Sequence, residues 1–213
     1  MLRANGLSHV EIWESERAFN ADGWDYRCSN HTGGLFAALS IVSNAAAGLD
    51  RAFHWVDYGS SGYKLWSTLP VQDAYYAPLL LHSVGQLGDG VTFMTATGQS
   101  PSVNVYSWSV SPQRVVVVAF NRRSLITAED FAVVGLLPAA GKWSITVYSY
   151  MRTRTVDAST PLTKMGREAT DGELRFAHSL PAYSFSVFVL TPDSQTSRTG
   201  GPLLSEQNVY TLL

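Results

Sequence analysis

The hydrophobic period of this chain changes once, near Gly90, and that change limits the folds open to it. Downstream, apolar and polar residues alternate over residues 91–97, 103–110, 114–120, 131–136, 143–151, 173–178 and 183–190, and each stretch reads as a strand. Gly98-Gln99-Ser100-Pro101, Ser111-Pro112-Gln113, residues 138–141 and Thr170-Asp171-Gly172 punctuate them as turns. Seven short strands at such intervals predict an antiparallel β-sandwich. Upstream, the pattern switches between strands and helices. Residues 9–13 and 51–57 read as strands. Leu35, Leu39, Val42, Ala46 and Leu49 form one apolar stripe of a helix over 33–48, with Gly48 at its C-cap. A second helix is predicted over 73–88, with Asp73 as N-cap; Pro78 imposes a kink unless the helix starts close to it. These are two βα units, whereas a closed (β/α)8 barrel has eight in about 250 residues.

Composition narrows the class. Charged residues make up 15% of the 213 and apolar residues 46%, which excludes a disordered chain and a highly charged coiled coil. A formal charge of −2 lacks the footprint of a nucleic-acid binder, and Arg122-Arg123 and Arg152-Thr153-Arg154 read as solvated strand ends. No run approaches about 18 consecutive apolar residues, so no membrane span is expected. The single cysteine, Cys28, allows neither an internal disulfide nor a thiolate zinc site. The five histidines show no metal-ligand spacing, and no cofactor is expected. Asn30-His31-Thr32 fits an N-glycosylation sequon. The opening residues contain no signal-peptide apolar region, and the sequence does not name a compartment.

Two clusters could carry chemistry. Glu11, Glu14 and Glu16 fall in His9-Val10-Glu11-Ile12-Trp13-Glu14-Ser15-Glu16, where alternation sets Glu14 and Glu16 on one strand face and Glu11 with Trp13 on the other. Parallel α/β folds expose functional groups at strand C-termini, although a solvated acidic strand end has the same local pattern. Phe53-His54-Trp55-Val56-Asp57-Tyr58 closes the next strand. There Trp55 could stack on a sugar or be a core residue with a satisfied N–H.

Taken in order, these elements resemble the C-terminal part of retaining glycoside hydrolases with a (β/α)8 barrel and a β-sandwich. The nearest are of the family 39 β-xylosidase and α-L-iduronidase type. The order that carries the resemblance is a strand ending in Glu, an Ala-rich helix and a strand ending Phe-x-Trp-x-Asp. A Tyr-Tyr helix follows, and then a sandwich whose last strand opens with Leu180-Pro181-Ala182-Tyr183-Ser184. The resemblance implies an α/β segment of two terminal barrel units over residues 1–88, an all-β sandwich over 89–191 and a tail over 192–213. It implies Glu14 as the nucleophile, with Glu16 and Glu11 as rivals because Trp13 stands where the family has a small polar residue. It implies Trp55, Trp13 and Asp57 as sugar contacts and a structural role for Asn121.

The mechanism so implied needs two carboxylates about 5–5.5 Å apart. The family's acid/base sits in an Asn-Glu pair on the fourth strand, and no such dipeptide occurs here. The resemblance therefore implies half a catalytic pair, a carbohydrate substrate, and a missing N-terminal barrel portion or partner chain. The isolated chain is expected to be inactive. The alternative expectation is a non-catalytic carbohydrate-binding or assembly module.

Overall fold

A computed structural model describes residues 11–17, 30–54, 73–136, 141–151 and 163–193. The elements run β1 (Trp13–Arg17), α1 (His31–Ala46), β2 (Arg51–His54), α2 (Asp73–Ser83), β3 (Thr92–Met94), β4 (Ala96–Gly98), β5 (Val103–Ser111) and β6 (Arg114–Asn121). They continue with β7 (Thr127–Val134), β8 (Gly141–Tyr150), β9 (Thr163–Ala169), β10 (Glu173–Leu180) and β11 (Ser184–Pro192). Strands β1 and β2 pair in parallel. The other strands form antiparallel sheets ordered β3-β5-β6-β11-β8-β9 and β10-β7-β4. Among the described residues no helix is long and apolar enough to cross a membrane.

Strands β6 and β11 explain the layering. Alternate residues of Val115–Phe120 are apolar on both sides, the pattern of a strand covered on both faces. Val115, Val117 and Ala119 face a core shared with the three-stranded sheet, which also takes Phe131, Trp143, Ile145, Phe188 and Leu190. Val116, Val118 and Phe120 face a second core with Phe185, Val187, Trp108 and the helices. The order of layers is therefore helix pair, six-stranded sheet, three-stranded sheet. Each fully buried large side chain contributes about 1.5–3 kcal/mol on transfer from water.

Both helices have local causes. The Asn30 side chain caps α1 by accepting the Thr32 N–H at 2.8 Å. At the other end Gly48 takes φ +90°, while the N–H groups of Gly48 and Leu49 bond the carbonyls of Ala45 and Asn44. This is a Schellman termination, which glycine enters without strain. Small buried residues on both helices (Gly33, Gly34, Ala37, Ala38, Ala74 and Ala77) leave room for close approach. Helix α2 accommodates Pro78 internally and ends at Ser83, short of the expected 88. Beyond its end the Trp108 indole N–H donates to the Gly85 carbonyl at 2.9 Å, and the Arg114 guanidinium to the Val84 carbonyl at 2.8 Å.

Other expectations need correction. Residues 91–97 are two strands, because the chain leaves one sheet and joins the other at Thr95: β3 pairs with β5 and β4 with β7. Strand β7 starts at Thr127, four residues before the expected 131, since the turn-like Glu129-Asp130 lies within a regular ladder with β10. Strand β9 was not expected at all. It is an edge strand with mostly exposed residues. Among the described residues the first strand is Trp13–Arg17, which shares Trp13 with the expected 9–13; residues 9 and 10 lie outside the described part.

Candidate active site

The parallel pair is pinned where it begins. The Ile12 N–H donates to the Asp50 carboxylate at 2.9 Å, and the Asp50 N–H returns a bond to the Ile12 carbonyl at 2.9 Å. Helix α1 ends beside this same end, because only Ala47, Gly48 and Leu49 separate it from Asp50. Its 16 residues carry it about 24 Å from there, at 1.5 Å per residue.

The register identifies an irregularity where the acidic residues lie. Glu14 pairs with Ala52 but Arg17 pairs with His54, so β1 uses three residues where β2 uses two. A bulge therefore spans the positions of Ser15 and Glu16. Bulges break strict alternation and redirect side chains, and they recur beside active sites. The expected alternation of Glu14 and Glu16 concerns side chains that lie outside the described part.

The predicted site residues are placed as follows. Glu11 is exposed and precedes β1, at the end where the pair begins. Trp13, Glu14 and Glu16 lie within β1, with Glu16 next to last, and their side chains lie outside the described part. Trp55 and Asp57 follow β2 directly and lie outside the described residues. The structure thus brings the backbones of Glu14 and Glu16 beside β2 and leaves Glu11 apart.

The side of α1's N-terminus holds a buried constellation that the sequence did not announce. His31, 7% exposed, stacks on the Tyr150 ring at 4.6 Å, with planes 10° apart. Its Nε2 lies 2.5 Å from the Tyr183 carbonyl oxygen, which can only accept, so this nitrogen carries the proton. The Tyr150 hydroxyl donates to the His31 carbonyl at 3.4 Å. The clue in the sequence was His31 in Asn30-His31-Thr32, whose more evident reading was a sequon.

Other features lie elsewhere. A groove of about 740 Å³ between Ile41, Leu49, Asp50, Leu87 and Phe93 opens at the end where the strands begin. No group of three His, Cys, Asp or Glu suited to a metal ion occurs among the described residues. Burial holds the His178 imidazole below its ordinary value of 6.5.

No protein-family model and no curated protein match this sequence. Solved structures do match its fold. A glycoside hydrolase family 30 subfamily 8 xylanase from Clostridium acetobutylicum superposes with a TM-score of 0.62 at 18% identity, over 89% of this chain and 44% of that one. The catalytic domain of family 30 xylanase C from Talaromyces cellulolyticus gives 0.60 at 22% identity, over 86% and 41%. A family 39 enzyme from Xanthomonas axonopodis pv. citri gives 0.57 at 10% identity, over 90% and 47%. The fold is a glycoside hydrolase fold. It is shared by families 30 and 39 alike, so the resemblance to family 39 in particular is not singled out. The chain spans less than half the length of these structures.

Proposed function

We propose that this chain is the C-terminal part of a retaining glycoside hydrolase, with β1 and β2 as the last two staves of a (β/α)8 barrel and the remaining strands as its β-sandwich. The observation that carries this reading is the parallel β1–α1–β2 unit, within a chain whose glycoside hydrolase neighbours match nearly all of it but are about twice its length. Two parallel strands alone are not a stable sheet, and parallel strands are normally covered and paired on both sides. Six further βα units would supply those neighbours and the acid/base.

The nucleophile in this reading is a glutamate at the end of β1. Glu16 fits the position better than Glu14: it stands next to last in the strand, within the bulge, and follows the small polar Ser15. Trp55 and Asp57, just past the end of β2, would approach the same sugar. Glu11 lies at the other end of the strand and drops out of this reading. The carboxylate would attack the anomeric carbon as the glycosidic C–O bond breaks and the acid/base of the missing part protonates the leaving oxygen; water, deprotonated by the same group, would then displace the carboxylate and release the sugar.

Alone, the chain should not turn over aryl β-xylosides or xylan. Co-expressed with a polypeptide supplying the first six βα units of a family 30 xylanase, it should. In that assembly Glu16→Gln should lower kcat at least about a thousandfold, and Glu14→Gln far less. Turnover by the purified chain alone, or an assembled enzyme indifferent to both substitutions, would overturn the reading.

A further inference from the structure

A single buried side chain holds two exposed turns together. Asn121 is 0% exposed, and its Nδ2 donates its two hydrogens, one of them shared, among the carbonyls of Leu125, Leu180 and Pro181 at 2.9, 3.2 and 2.8 Å. Its Oδ1 accepts from the Arg123 N–H at 3.0 Å and the Thr127 hydroxyl at 3.3 Å. The turns at 122–126 and 181–183 are joined again where the Tyr183 N–H donates to the Arg123 carbonyl at 2.8 Å. The Tyr183 carbonyl in turn accepts from His31 at the start of α1. The backbone here is fixed from several directions.

What this rigid frame presents to solvent is apolar. Leu125 is 62% exposed, Ile126 71% and Tyr183 51%. Tyr183 also sits at φ +42°, in the left-handed region that favours glycine and disfavours a tyrosine. Its ring makes no aromatic contact and its hydroxyl no hydrogen bond among the described residues. The exposed guanidinium groups of Arg122 and Arg123 likewise have no protein partner there. An aromatic face held at a conformational cost, with free N–H donors on the same pair of turns, suits a ligand that offers an apolar face and a rim of hydroxyls. A pyranose has that character.

We propose that these two turns form a polysaccharide-binding platform, with Tyr183 as the ring on which a sugar unit stacks and Arg122 and Arg123 as donors to its hydroxyls. The platform touches the N-terminus of α1, where the His31 Nε2 donates to the Tyr183 carbonyl. This inference rests on the glycoside hydrolase reading above and adds a distal contact to it.

The test is affinity electrophoresis of the full chain in native gels containing soluble xylan or a β-glucan. Wild type should be retarded by at least one of them. Tyr183→Gly, which accepts φ +42° without strain, should weaken binding by roughly fivefold, the scale of one good aromatic contact, while its melting temperature holds. Tyr183→Trp should retain the retardation. No retardation of wild type, or equal retardation of wild type and Tyr183→Gly, overturns the platform. The catalytic reading fails separately: an assembled enzyme without turnover, whose Tyr183-dependent binding persists, sinks that reading and leaves the platform standing.

Discussion

The His31 imidazole lies flat against the Tyr150 phenol, 4.6 Å between centroids, and so joins the first turn of α1 to the last residue of β8. This contact ties the helix layer to the six-stranded sheet. His31→Ala removes both the stack and the bond to the Tyr183 carbonyl, and should cost about 2 kcal/mol in urea unfolding. Tyr150→Phe keeps the stack and the His31 bond to the Tyr183 carbonyl, and loses the long bond from the phenol to the His31 carbonyl, so it should cost less than His31→Ala. A cost for Tyr150→Phe as large as for His31→Ala would contradict this assignment.

Gly34 is the position at which the helices have least room. A Cβ there would overlap the Tyr150 hydroxyl and lie 3.0 Å from the Ala74 Cα, which is backbone and cannot swing away. Gly34→Ala should therefore destabilise by about 1–3 kcal/mol despite alanine's better helix propensity. The double variant with Tyr150→Phe should recover part of the loss, and a double-mutant cycle measures how much.

Asn121 satisfies three carbonyls and accepts two hydrogen bonds in a fully buried site. Asn121→Ala should lower stability by about 3–4 kcal/mol, measured by chemical denaturation. Amide exchange should quicken at Arg123 and Tyr183, the two N–H groups that the network orders. Unchanged exchange at both would show that the turns hold their shape without it.

His178 gives the fold one expected pH dependence. Burial lowers its folded-state value below 6.5, so an unfolded chain takes up a proton at a pH where the folded chain does not. Stability should be fully present above about pH 6.5 and should fall as acidification carries the solution from that value toward the folded one. His178→Gln should flatten this part of the profile in melting curves taken from pH 7.5 to 5.5. An identical slope in the variant would place the titration elsewhere.

Legibility in the sequence followed how directly each element's environment is written in its residues. The valine run of β6 could hardly be anything but a covered strand, and the apolar stripe from Leu35 to Ala46 with Gly48 after it marked α1 to within two residues. Strand β9 was hidden because an edge strand buries little, and Thr-Lys-Met-Gly-Arg-Glu-Ala carries Met165 as its sole large apolar residue. Glu129 looked like turn or surface, yet it is 2% exposed and accepts the Ser100 N–H at 2.8 Å to fix the turn after β4. Near the acidic cluster what the sequence does not carry is register. Alternation assumes an unbroken ladder, and the bulge between Glu14 and Arg17 is set by pairing with β2, which no local pattern encodes.

The double-sided burial of β6 and β11 has a practical consequence. A cut near residue 89 looks natural on the page, between helices and strands, but it would strip the cover from Val116, Val118, Phe120, Phe185, Val187 and Val189. The freed β-rich piece would carry a broad oily wall and clump, and the helices would lose the floor that shapes them. Any shortened version worth making must therefore keep both helices attached. What looks like a seam in the primary structure is, mechanically, the keel.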